Sequence, residues 1–189
     1  SGAMGSQIAM VCALAGYDVV LYDVSKERLD SARENLKDLM EKRVKKGRLD
    51  QASVDRAFQR LTFSPSLEQA VEKADFIIEA VTENLDVKRE LFQKLDKLAP
   101  SHAILATNSS TIVSSKLAEV VQRKDKVCNM HFFNPAVVME LVEVVKGPHT
   151  SEETANITME LARNLGKTPI LLKKEIFGFV VNRILNALF

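Results

Sequence analysis

One histidine and one glutamate in the sequence have the chemistry and the setting of an acid/base pair. His131 ends an apolar segment, 127–130, and precedes a Phe-Phe-Asn-Pro sequence. An imidazole exchanges protons near neutral pH, so a histidine at the edge of a sheet can act as general acid and base. Glu143 lies inside the apolar run 141–145, where a carboxylate must face solvent or find a buried partner. A carboxylate on the far ring nitrogen would fix the tautomer and stabilise the imidazolium.

Both residues also fit simpler interpretations. A histidine among apolar neighbours is more often a core residue than a catalytic one, and Glu143 on an edge strand would be exposed to solvent. Spacing alone does not separate these alternatives. The other two histidines, His102 and His149, stand near prolines in predicted turns, and we expect both to be solvated.

The start of the chain has the glycine spacing of a phosphate-binding loop. Gly2 and Gly5 enclose Ala3 and Met4, and apolar residues at helical spacing follow. A helix N-terminus offers N–H donors and a positive dipole to a pyrophosphate, and glycines let the backbone approach it closely. A short apolar strand then ends in Asp23, whose carboxylate can bind ribose hydroxyls and would repel a 2′-phosphate. The segment therefore predicts binding of NAD rather than NADP.

Each of these polar features has a structural alternative. Short Gly/Ala/Met/Ser leaders are common remnants of expression vectors, and Asp23 can serve as a turn or helix-capping acid. Ser109 and Ser110 can be caps of the next helix. The basic run 42–46 is typical of a solvated helix end, although it would also suit a phosphorylated substrate.

Strands that alternate with amphipathic helices must position these residues. The predicted strands cover 17–23, 61–64, 76–80, 103–107, 127–131, 141–145 and 168–172. The predicted helices cover 25–46, 53–60 and 112–121, and two more begin at a cap on Asn84 and at a capping box of Thr150 and Glu153. This alternation predicts an α/β fold with a Rossmann-type, doubly wound and mostly parallel sheet. Function is then expected in the loops after the strands, where the polar and glycine signals gather.

We expect both ends of the sequence to be internal to a longer protein. The first strand of a Rossmann-type unit, which is central in its sheet, does not precede Gly2. The apolar stripe 177–188 has helical spacing and no C-terminal cap. We therefore predict an NAD-binding Rossmann-type domain over 1–174 that lacks its first strand and carries a helical hairpin at 25–60. Residues 175–189 are predicted to be the first helix of a truncated helical dimerisation domain.

Composition limits the possible partners. The 189 residues include 26 Lys+Arg and 25 Asp+Glu, a formal net charge of +1, and 46% are hydrophobic. This balance is typical of a globular protein and favours neither nucleic acid nor a membrane as partner. The longest apolar stretch, 8–15, is too short for a membrane span, which needs about 20 residues. We expect Cys12 and Cys128 to be buried free thiols in a reducing, cytoplasmic setting, and we expect no metal site.

Several of these motifs together resemble a known family. The chain is similar over essentially its whole length to the NAD-binding part of L-3-hydroxyacyl-CoA dehydrogenases, most closely to the bacterial 3-hydroxybutyryl-CoA dehydrogenases. The most specific motif is the block His131-Phe-Phe-Asn-Pro135 followed by Leu141-Val-Glu-Val144. Supporting motifs are Gly2-Ala-Met-Gly5, Val20-Leu-Tyr-Asp23, Glu79-Ala-Val-Thr-Glu-Asn84, Asn108-Ser-Ser-Thr111 and Gly178-Phe-Val-Val-Asn-Arg183.

The resemblance implies a reaction and a set of site residues. The reaction is the reversible, NAD-dependent oxidation of an L-3-hydroxyacyl-CoA to the 3-ketoacyl-CoA, in a homodimer formed through the helical domain. His131 would take the hydroxyl proton, and Glu143 would orient its imidazole. The resemblance places Ser110 and Asn182 on the substrate oxygens. It places the cofactor on Gly2, Ala3, Met4, Gly5, Asp23, Glu83, Lys88, Ser110 and Asn134, and CoA on Lys46 and Ser110.

Two positions depart from the family pattern, and two other functions stay open. Leu39 stands where the family has a serine near CoA, and Phe177 stands where it usually has proline. One alternative is a dehydrogenase of another hydroxy acid, although such enzymes typically use a catalytic lysine. The other is a non-catalytic NAD-binding or crystallin-like relative, which would be expected to lose His131 or Glu143.

Overall fold

The computed structural model describes residues 2–176 and 178–188, and the chain divides into two compact units. Unit 1 consists of the described residues of Ser1–Ala70 together with Asn134–Met139. Unit 2 consists of the described residues of Val71–Phe133 and Glu140–Phe189. Phe177, which stands at the expected proline position, lies outside the described residues.

Unit 1 packs three helices on a two-stranded parallel sheet. Its elements are α1 (Ala3–Leu14), β1 (Val19–Tyr22), α2 (Lys26–Lys45), α3 (Gln51–Arg60), β2 (Leu61–Ser64) and most of α4 (Leu67–Val71). Residues 8–11 of α1 are all buried, because α2, α3, β1 and β2 all contact this short helix. The predicted cap on α2 is confirmed: Ser25 Oγ accepts the N–H of Arg28 at 3.2 Å. Gly47, at φ +64°, lies just beyond the end of that helix.

Unit 2 is built on a five-stranded sheet in the order β3-β4-β5-β6-β7. The strands are β3 (Phe76–Glu79), β4 (Ile104–Thr107), β5 (Val127–Phe132), β6 (Leu141–Val145) and β7 (Thr168–Leu172). All neighbouring pairs are parallel except β5 with β6, which run antiparallel. The helices are α5 (Leu85–Leu98), α6 (Ser115–Ala118), α7 (Glu152–Asn164) and α8 (Val181–Leu188), and a 3-10 turn covers Lys124–Lys126.

The predicted α/β, Rossmann-type fold with a mostly parallel sheet is confirmed. The seven strands lie where the sequence predicts them, with ends shifted by at most two residues. They form two sheets instead of one. Within the described chain β1 pairs only with β2, and β3 pairs only with β4.

Two of the predicted helix boundaries are wrong. The helix predicted over 112–121 is reduced to α6, because the Ser115 N–H, which would bond to the Thr111 carbonyl in that helix, donates instead to Glu175 Oε1 at 2.8 Å. The capping box predicted at Thr150 does not form. The Thr150 hydroxyl instead donates to the carbonyl of Val127 at 2.6 Å. Ser151 caps α7, because its Oγ accepts the N–H of Thr154 at 3.0 Å.

Two composition-based expectations can be compared with the structure. Neither Cys12 nor Cys128 forms a disulfide; Cys128 is fully buried, which raises the pKa of its thiol to about 11, whereas Cys12 is only half-buried. Among the helices of the described residues, none combines the length and the hydropathy needed to cross a membrane.

Candidate active site

The centre of unit 2 holds His131 and Glu143 in direct contact. The two residues are exact partners in the antiparallel ladder of β5 and β6, so their side chains leave the same face of the sheet. His131 Nδ1 lies 2.9 Å from Glu143 Oε2. Glu143 is 0% and His131 5% exposed. The edge-strand alternative for Glu143 is therefore excluded.

Burial and ring packing limit the motion of the imidazole. Its centroid lies 4.6 Å from the Phe133 ring and 5.5 Å from the Phe179 ring, both tilted against it. Because Nδ1 contacts a carboxylate, the neutral ring carries its proton there. Nε2 is therefore the nitrogen that can accept a proton from another molecule.

The second oxygen of Glu143 is also occupied. Oε1 accepts the backbone N–H groups of Val180 at 3.0 Å and Val181 at 3.1 Å. Burial by itself raises the pKa of Glu143, but the hydrogen bonds from His131, Val181 and Val180 outweigh it and lower that pKa. Glu143 is thus an ionised carboxylate inside the protein.

A buried ion pair lies after β3. Lys88 on α5 is 1% exposed, and its Nζ lies 2.6 Å from Oε1 of Glu79, the last residue of β3. Glu79 also accepts the Thr107 hydroxyl at 2.7 Å and the Val81 N–H at 2.6 Å. Lys88 additionally contacts Glu83 Oε2 at 3.4 Å. These are all protein groups, and the predicted contact of Lys88 with a cofactor stays a prediction.

Glu83 anchors the loop that follows β4. Its Oε1 accepts the Ser109 hydroxyl and the hydroxyl and N–H of Thr111, the latter two at 2.7 and 3.2 Å. Partial burial raises the pKa of Glu83, but these hydrogen bonds and the charge of Lys88 lower it to about 2. The interpretation of Ser109 as a helix cap is wrong: its Oγ accepts the Ile112 N–H at 2.8 Å within the loop, and the next helix, α6, begins at Ser115 without a side-chain cap.

The remaining predicted residues of unit 2 lie in more open positions. Ser110 is half-exposed in the loop between β4 and α6, and Asn182 is half-exposed in the first turn of α8. His102 is exposed beside Asp75, as expected.

The expectation that His149 is solvated is wrong. Its ring is half-buried, and Nε2 lies 3.1 Å from the Val127 carbonyl oxygen. Burial lowers the pKa of His149, whereas the charge of Glu175 acts in the opposite direction.

Unit 1 contains the glycine segment and Asp23. Gly2 is the N-cap of α1, no side chain caps that helix, and its first turn holds no acidic residue. A Cβ added at Gly2 would meet nothing within 4 Å. Asp23 follows β1, and its Oδ1 accepts the Ser25 N–H at 3.0 Å. This is the turn contact of the structural alternative, and a role in ribose binding stays a prediction.

A cavity of about 540 Å³ opens in unit 1 between the first turn of α1 and the helix α2. Its lining includes Gly2, Arg28 and Leu39, the residue that stands in place of the family's serine. Lys46, the predicted CoA contact, is exposed at the C-cap of α2 and is not part of this lining. Asn134, which precedes a cis peptide bond to Pro135, is exposed in the same unit.

Sequence reasoning gave no individual role to three polar residues in the strands of unit 2. Glu79 and Thr107 bond to each other, and Asn129 donates to the Ile112 carbonyl at 3.0 Å and accepts the Ser114 N–H at 2.8 Å. Each stands alone among apolar residues of a predicted strand. A polar side chain in a buried strand needs a partner, so that pattern was the available signal.

Comparisons with known proteins give the chain a family context. The sequence model described as "3-hydroxyacyl-CoA dehydrogenase, NAD binding domain" matches residues 1–176. The "Probable 3-hydroxybutyryl-CoA dehydrogenase" of Bacillus subtilis (strain 168) is 42% identical over 185 residues, which are 98% of this chain and 64% of the relative. The mitochondrial hydroxyacyl-coenzyme A dehydrogenase of Sus scrofa is 37% identical over 97% of this chain and 60% of its own length.

A solved structure shares the fold as well as the sequence. The (S)-3-hydroxybutyryl-CoA dehydrogenase PaaH1 from Ralstonia eutropha superposes with a TM-score of 0.93 at 38% identity. The match covers 97% of this chain and 64% of that protein. The chain thus spans less than two thirds of the length of these relatives.

We predict that Lys88→Met destabilises the chain by about 3–5 kcal/mol, because it leaves the Glu79 carboxylate buried without its cation. The exposed Lys94→Met on the same helix serves as the control. Urea unfolding of both variants and of Lys88→Met/Glu79→Gln tests this. Equal stability of the two single variants, or no recovery in the double variant, would contradict the role of the pair.

A pH-dependent stabilisation is expected from Glu83. Its pKa in the folded state, about 2, lies below the ordinary value of 4.5, so its contribution is complete above pH 4.5 and is lost as the pH falls towards 2. Glu83→Gln should therefore lower the free energy of unfolding at pH 6, and the difference from the unsubstituted chain should shrink towards pH 2. The exposed Glu160→Gln is the control. A Glu83→Gln difference that stays constant over this range would refute the prediction.

Proposed function

The chain belongs to the 3-hydroxyacyl-CoA dehydrogenase family, and on this premise we propose that its protein oxidises L-3-hydroxyacyl-CoA reversibly to 3-ketoacyl-CoA. The matched part is the NAD-binding domain of that family. The observation that carries the proposal is the buried contact of 2.9 Å between His131 Nδ1 and Glu143 Oε2. It leaves Nε2 as the proton acceptor and supplies a negative charge to the imidazolium that forms.

The described residues fit NAD. The uncapped N-terminus of α1, with an open backbone at Gly2 and no acid in its first turn, suits an anionic pyrophosphate. Asp23, fixed at the end of β1 by the Ser25 N–H, suits the ribose hydroxyls. We assign further cofactor contacts to Ala3, Met4, Gly5, Glu83, Ser110 and Asn134. NAD, when bound, accepts the hydride that leaves C3 of the substrate.

The protein's own residues would handle the proton. His131 takes the proton of the 3-hydroxyl group at Nε2, while Glu143 stabilises the resulting positive charge through Nδ1–H. In the reverse direction the imidazolium returns this proton to the 3-keto oxygen. Ser110 and Asn182 would donate hydrogen bonds to the substrate oxygens. Lys88 would affect the cofactor indirectly, through its contact with Glu83, because its ammonium group is enclosed by the protein.

The names of the bacterial relatives favour a short substrate, 3-hydroxybutyryl-CoA. Lys46 offers a cation for CoA at the end of the basic run 42–46. Leu39 gives the cavity of unit 1 an apolar wall where the family has a serine. A homodimer formed through a C-terminal helical domain, the domain boundary at 174 and a cytoplasmic location stay predictions.

His131→Gln should reduce kcat by at least about 100-fold, because glutamine cannot act as the general base. The kcat of the full-length protein is measured by NADH oxidation with acetoacetyl-CoA. The affinity for NADH, measured by a titration that follows the fluorescence of NADH itself, should hardly change. Glu143→Gln is the conservative substitution that tests the partner of His131, because it keeps a hydrogen-bond acceptor but removes the negative charge. Normal turnover by His131→Gln would remove this residue from the mechanism.

Asp23 is expected to make the protein prefer NADH over NADPH. Asp23→Asn keeps an oxygen for the Ser25 N–H but removes the charge. It should therefore reduce the ratio of kcat/KM with NADH to kcat/KM with NADPH by about tenfold. Steady-state kinetics with both cofactors tests this. A preference of the unsubstituted protein for NADPH would contradict the role given to Asp23.

A further inference from the structure

The segment between β7 and α8 returns to the active-site pair through its main chain. Glu143 Oε1 accepts two consecutive N–H groups, from Val180 and Val181. The carbonyl oxygen of Val180 accepts the N–H of Ile184 at 3.0 Å, so Val180 is the N-cap of α8 and Val181 its first helical residue. Glu143 therefore binds the positive end of a helix with one oxygen and the imidazole with the other.

An unusual turn brings these N–H groups to the carboxylate. Gly178 has φ +73° and Phe179 has φ +50°, and the Phe179 N–H donates to the Ile176 carbonyl at 3.0 Å. A phenylalanine in the left-handed region is uncommon and needs support from its surroundings. Phe179 is 1% exposed, and its ring lies 5.5 Å from that of His131. The same turn thus packs on the imidazole and aligns the donors to its partner.

We infer that the Gly178–Phe179 turn is a positioning element for catalysis. The N–H groups of the two residues that follow the turn hold Glu143 Oε1, so that Oε2 stays directed at His131 Nδ1. This inference rests on the proposed function for its catalytic consequence. Its structural part is independent, since a carboxylate with one tethered oxygen has lost its free rotation. Val180 and Val181 act here through backbone N–H groups and Phe179 through its ring, and none is a catalytic residue.

Val181→Pro tests the inference at a single N–H group. Proline is well accepted at the first position of a helix, and the residue before it prefers the extended conformation that is typical of an N-cap. The substitution therefore removes one donor to Glu143 with little effect on α8. Val181→Ala removes the same side chain but keeps the donor. Glu152→Pro, at the first position of α7, reports the general effect of a proline at a helix start.

Two measurements on the full-length protein are compared across these variants. In Val181→Pro, kcat for NADH oxidation with acetoacetyl-CoA should fall about tenfold, the loss expected for one hydrogen bond to a carboxylate, with the dissociation constant of NADH unchanged. The fall should be several times larger than in Val181→Ala, and Glu152→Pro should keep full activity. Proton NMR should show the His131 Nδ1–H resonance, assigned with His131→Gln, shifted upfield or lost only in Val181→Pro.

The outcomes separate this inference from the proposed function. If the unsubstituted protein is inactive but the Nδ1–H resonance responds as expected, the proposed function fails and the positioning role stands. If Val181→Pro equals Val181→Ala in both measurements, the inference is overturned. Should Val181→Pro not fold, Gly178→Ala decides. Its added Cβ makes only ordinary contacts of 3.7 Å or more, so the substitution acts through the strained positive φ of the turn. It should shift the His131 Nδ1–H resonance upfield or abolish it. An unchanged resonance in Gly178→Ala would then overturn the inference.

Discussion

A carboxylate buried in a protein must have hydrogen-bond partners for both oxygens, and Glu143 is the residue on which this constraint acts most strongly. It is 0% exposed, and its partners come from β5 and from the start of α8. Loss of one hydrogen-bond partner of such a group typically costs about 1–3 kcal/mol, a large part of the stability of a domain. The ladder of β5 and β6 and the turn before α8 are therefore tied to one side chain.

The same solution occurs a second time in unit 2, with a different consequence. Glu79 is also fully enclosed, but its charge is balanced by Lys88, and the cation is shared with the half-exposed Glu83. Glu83 in turn fixes the loop after β4. In the proposed function a negative charge near His131 supports proton transfer, whereas the neutralised cluster of Glu79 and Lys88 supports the shape of a loop. Partner type, more than burial, separates the two carboxylates.

Sequence reasoning predicted the fold class and the His131–Glu143 pair because both depend on local patterns: alternating elements, and polar residues in apolar strands. It did not give the antiparallel register that sets these two residues opposite each other. It also missed the N–H groups of Val180 and Val181, because main-chain donors leave no trace in residue types. The short α6 has a similar origin: the Ser115 N–H donates to Glu175, a side chain distant in sequence, which no local propensity reveals.

The central claim is that His131, held by Glu143, exchanges the proton of the substrate oxygen at Nε2. The most direct test is a crystal structure of the full-length protein with acetoacetyl-CoA and NADH. The account predicts the 3-keto oxygen about 2.6–3.2 Å from His131 Nε2, with Nδ1 still on Glu143. A substrate oxygen bound away from this ring, or an imidazole turned off Glu143 in the complex, would contradict it.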